Sequence, residues 1–91
     1  MNIFDDEDDF MVSSPKENYF SIAKTANQNI VEMEIEKVFR RLAVAEKMLE
    51  ERGLDEELEA QIKALVIDKD VDSRVASIFI ELVGNIVTQC E

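Results

Sequence analysis

The chain has 91 residues, 46% hydrophobic and 34% charged, with ten Lys and Arg against 21 Asp and Glu and a net charge of −11. One small domain fits that length, and the acidic balance, with no Lys or Arg among the first fifteen residues, argues against direct contact with nucleic-acid backbone. A lone Cys90 rules out an intrachain disulfide, and with no histidine to activate it, nucleophile-and-base chemistry has no members, so the chain reads as non-catalytic, with no cofactor and no metal.

In chain order, the first segment is "MNIFDDEDDFMVSS", an acidic and aromatic tail over residues 1–14, ahead of a helical domain over 15–91. Asp5, Asp6, Glu7, Asp8 and Asp9 lie between Phe4 and Phe10, with Ile3, Met11 and Val12 beside them. The alternative is a tail that only keeps an acidic protein soluble, but solvating tails rarely need two Phe and an Ile. Apolar anchors around a block of charge suit a peptide that orders when it meets a basic, apolar cleft. The stretch from Ile3 to Phe10 resembles the acidic, aromatic-bearing tip by which bacterial single-stranded-DNA-binding proteins recruit partner enzymes. It departs from that tip in position, since the tip ends in a free carboxylate and this stretch is at the other terminus. The expected partner is a basic protein.

"SPKE" follows, with Ser14 as helix cap, Pro15 at the first helical position and Glu17 reaching back. Tyr19, Ile22, Ala23, Ala26, Ile30 and Met33 then recur at three and four residues, the period of one helix face. After "TANQN" the stripe changes phase to Ile35, Val38, Phe39, Leu42, Ala45 and Leu49, so either a long helix kinks or two helices meet. Lys37, Arg40, Arg41 and Lys47 are the only local concentration of positive charge. Glu34, Glu36, Glu46, Glu50 and Glu51 stand among them, which predicts an ion-paired, solvated face. Met33 and Met48 read as core filler.

Gly53 predicts a helix end, and Asp55 a cap for a third helix presenting Leu58, Ile62, Leu65 and Val66. In "DKDVDS", Asp68, Asp70 and Asp72 alternate like the first ligands of a calcium loop. Ser73 and Phe79 then stand where such a loop needs Gly and a bidentate Glu, so capping by Asp70 or Asp72 is the expectation.

The last helix, predicted over 71–89, is apolar on most sides, and only Ser73, Ser77, Glu81 and Asn85 form a polar row. Its Val and Ile residues also suit a strand over 78–83, but that strand would lack a partner. A helix of this kind is central to its domain or shared with another chain. Val75, Phe79, Leu82 and Ile86 are therefore expected to mediate self-association. The longest apolar run, "VASIFIELVGNIV", is interrupted by Glu81 and Asn85 and is too short to cross a bilayer, and no signal-peptide pattern precedes it, so a cytoplasmic protein without membrane contact is expected.

The expected fold is all-α, a small bundle or hairpin array of three to four helices. Two functions fit it. The first is an acidic adaptor or inhibitor that binds a basic protein surface through its tail, by charge mimicry if that partner handles nucleic acid. The second is a homo-oligomeric structural or assembly protein joined through its last helix. Either would suit an accessory protein carried by a phage or plasmid.

Overall fold

A computed structural model of the chain describes residues 14–90. Four α-helices make up the fold among these residues: α1 (Pro15–Thr25), α2 (Gln28–Glu51), α3 (Asp55–Ala64) and α4 (Lys69–Cys90). The all-α expectation holds, and 78–83 is helical.

The boundaries follow from local chemistry. Ser14 Oγ accepts the Glu17 N–H at 3.1 Å, and Pro15 occupies the first helical position, where its missing N–H costs nothing. Residues 15–52 are two helices rather than one, because the corner at Ala26–Asn27 is tied from both sides. Asn27 Oδ1 accepts the N–H groups of Asn29 (2.9 Å) and Ile30 (3.4 Å). Gln28 Nε2 donates back to the carbonyls of Ala23 (2.7 Å) and Ala26 (3.1 Å), satisfying acceptors that the end of α1 leaves open.

α2 ends where expected, at Gly53, whose φ of +71° is the left-handed conformation that glycine adopts without steric cost. The Gly53 N–H bonds Glu50 O and the Leu54 N–H bonds Leu49 O, closing the last turn. Two caps differ from expectation. Asp55 is already inside α3, which starts after Leu54 without a side-chain cap and relies on Asp55, Glu56 and Glu57 in its first turn. The cap of α4 is Asp68 rather than Asp70 or Asp72, since its Oδ2 accepts the Val71 N–H at 3.0 Å, while Asp70 pairs with Arg74.

α4 is the central element. Tyr19 of α1 stacks on Phe79 with ring centroids 5.5 Å apart, and Ile22 and Ala26 lie by Ile86 and Cys90, so α1 and α4 run in the same direction. α2 returns antiparallel, with Glu34 bonded to Asn85 and Gln89 near the end of α4. Tyr19, Val31, Leu82 and Ile86 form the buried apolar core, flanked by Ile22, Ala23, Ile30, Ile35, Val38, Phe79 and Val83. Apart from α2, α3 touches no other helix and it buries no residue. The resulting body is a plate of 46 × 36 × 15 Å, whose short dimension leaves room for two helices at most.

Candidate functional site

Past Glu34 and Asn85, α2 and α4 diverge, and α3 spans from the end of one toward the start of the other. Between the two long helices lies a cleft of about 930 Å³. Its apolar walls are Val38, Leu42, Ala45 and Met48 of α2 and Ile78 and Leu82 of α4, and Lys37, Arg40, Arg41 and Glu81 line it as well. The stripe Ile35, Val38, Leu42, Ala45, Leu49 runs unbroken along α2, but this chain leaves its middle, Leu42 and Ala45, exposed. Leu42 is 53% exposed and Ile78 45%. Phe39, Val44, Ile62, Val66, Ile67 and Ile80 are also exposed, more apolar surface than an isolated small domain ordinarily leaves in water.

At the narrow end, Glu34 is only 1% exposed yet fully engaged. Lys37 Nζ donates to it at 2.9 Å, Asn85 Nδ2 at 3.1 Å and Gln89 Nε2 at 2.6 Å. The hydrogen bond from Lys37 is the main influence holding this carboxyl below the usual carboxylate range, with the two amides adding to it; burial pushes the other way. The polar row expected on α4 therefore has a specific task at Asn85, which is exposed yet donates to a buried charge.

The predicted site residues fare differently. Leu82 and Ile86 are buried against Tyr19 and Val31 of the same chain, and Phe79 packs on that core, so these three meet their own chain first; Val75 is exposed. Phe4, Asp5, Asp6, Glu7, Asp8, Asp9 and Phe10 lie outside the described residues. The basic face is less neutralised than expected: Lys37 pairs with Glu34 and Lys47 with Glu51, but among the described residues Arg40 and Arg41 make no ion pair. Nor are the methionines core filler, since Met33 is 46% exposed and Met48 48%. Met33, Lys37, Arg40, Val44 and Met48 fall at successive steps of four, three, four and four residues, so this second face of α2 was open to detection from spacing.

Among the described residues, no cluster of three or more His, Cys, Asp or Glu is placed to hold a metal ion, and no helix is long and apolar enough to cross a membrane. No curated protein and no solved structure matches the chain. Residues 10–91, which contain all four helices and both walls of the cleft, match the family described as a domain of unknown function, DUF2018, and the chain belongs to that family.

Proposed function

We propose that the protein is a non-catalytic, cytoplasmic interaction protein that works as a homo-oligomer, with a second copy completing the core along the α2–α4 cleft. The observation that carries this reading is the apolar stripe of α2, which continues through Leu42 and Ala45, with Met48 beside it, where α4 leaves it exposed. Burying a large aliphatic side chain contributes about 1.5–3 kcal/mol, and roughly half of that is still to be gained at Leu42, Val44, Met48 and Ile78. Over two copies this is comparable with the cost of association, about 4–15 kcal/mol, so the exposed Ile62, Val66 and Ile67 must contribute to a stable assembly as well.

Sedimentation velocity and light scattering over a concentration series test the reading. The expected result is a dimer or larger species at tens of micromolar. Leu42→Glu combined with Ile78→Glu should give a monomer with unchanged helix content, because both side chains are half-exposed in the single chain. A wild-type protein that remains monomeric throughout would overturn the proposal.

A second reading, favoured by the net charge of −11, assigns the assembled protein the role of adaptor or inhibitor toward a basic protein, including an enzyme whose nucleic-acid path it occupies by charge mimicry. Affinity capture from the native host at low and high salt tests it. A salt-sensitive basic partner is expected, and capture that ignores salt would remove the electrostatic basis.

A further inference from the structure

The second face of α2 has a pattern that its core-facing stripe lacks. Exposed apolar side chains stand at both ends, Met33 at one and Val44 and Met48 at the other, and Lys37, Arg40 and Arg41 occupy the middle. The positive charge there is only partly used, since Lys37 is engaged by Glu34 while Arg40 and Arg41 have no ion pair among the described residues. Glu81 lines the same cleft from α4 but is joined to neither arginine among those residues.

One segment of the chain carries the inverse pattern. Phe4 stands at one end, Phe10 and Met11 at the other, and five consecutive acids fill the middle. The lengths agree too: the six residue steps from Phe4 to Phe10 span about 20 Å when extended, and the fifteen helical steps from Met33 to Met48 rise about 22 Å. Acid groups opposite paired arginines gain charge-assisted, bidentate hydrogen bonds, and flanking apolar contacts supply what exposed ion pairs alone do not.

We infer that residues 4–10 dock on the Met33–Met48 face of their own chain, with Asp5 to Asp9 over Lys37, Arg40 and Arg41 and the aromatic rings on the methionines and Val44. The thirteen residues ahead of Ser14 reach up to about 45 Å when extended, and the tether keeps the segment at a local concentration that a free peptide would not match. The docked segment neutralises the basic face of an acidic protein; it covers Val44 and Met48 along one rim of the cleft and leaves Leu42, Ala45 and Ile78 open to a second copy. It does not depend on oligomerisation.

The chain contains no tryptophan, so Phe10→Trp in the full-length protein gives a single reporter, and Phe4→Trp gives an independent one at the other end. Docking predicts emission shifted to shorter wavelength and protected from acrylamide. Adding Arg40→Gln with Arg41→Gln should abolish both, as should high salt, while circular dichroism stays unchanged. Protection should persist on dilution to concentrations at which light scattering reports a monomer. Solvent-exposed emission from both reporters overturns the inference, and so does protection indifferent to the arginine substitutions. Protection that disappears with dilution overturns the assignment to the same chain, whether or not the protein oligomerises.

Discussion

Glu34 occupies a position where an apolar residue would pack at less cost, and its three donors explain how it is tolerated. Replacing it by Ala removes the acceptor that Lys37, Asn85 and Gln89 share; the three donors are exposed and turn to water, so what is lost is hydrogen bonding to a charged group, about 1.5–3 kcal/mol. Glu34→Ala should lower stability by that order in urea unfolding at neutral pH. The carboxyl titrates lower in the folded chain than in the unfolded one, so its contribution is fully present above the unfolded value, about pH 4.3. As pH falls through that value and then through the lower folded one, the contribution is lost. The gap between wild type and Glu34→Gln should therefore narrow from pH 7 to pH 3, and a constant gap would show that the charge itself contributes nothing. Ile86 is completely enclosed, so Ile86→Ala should cost about 2–5 kcal/mol, enough to unfold most of so small a protein, as circular dichroism would register. Neither role was visible in the sequence. A glutamate inside an acidic, solvated-looking run gives no local sign of being buried, because its partners at Asn85 and Gln89 are more than fifty residues away.

The helices themselves were far more legible, since their start and stop signals are local. Ser14–Pro15 and Gly53 were readable because cap and turn chemistry acts within three or four residues. The corner at Asn27 was harder to settle, because a phase slip in the apolar stripe is common to a kink and a break; side-chain bonds from Asn27 and Gln28 decide between them. Competing aspartates at 68, 70 and 72 likewise left the cap of α4 open, and the carboxylate nearest the first free N–H took it. The two glycines should respond oppositely to alanine. Gly53→Ala places a side chain at φ +71° and should cost about 1–2 kcal/mol. Gly84 lies inside α4, and a methyl group added there meets nothing within 4 Å, so Gly84→Ala should stabilise the isolated chain by about 0.5–1 kcal/mol in thermal or urea melts. A destabilising Gly84→Ala that also weakens association would mean that a second copy packs closely on that side of α4.

For the whole molecule, the apolar circumference of α4 signalled that something must cover it, and α1 and α2 supply much of that cover. What the sequence could not apportion was which apolar residues are satisfied within the chain. Ile78 shares one stripe of α4 with Leu82 and Ile86, yet Leu82 and Ile86 are buried and Ile78 is exposed, because only the far end of that stripe is covered by α1 and α2. α3 has the most exposed position of all, since a ten-residue helix is marginal in water by itself and this one contacts a single neighbour and buries nothing. In a solitary chain its backbone amides should exchange with deuterium nearly as fast as those of a free peptide, while those around Ile86 are protected. A protease should accordingly nick the chain first between residues 54 and 68, and more slowly as protein concentration rises if the proposed assembly forms. If the proposed assembly covers α3, the survival time of each newly made copy in a cell would depend on how many others are already present.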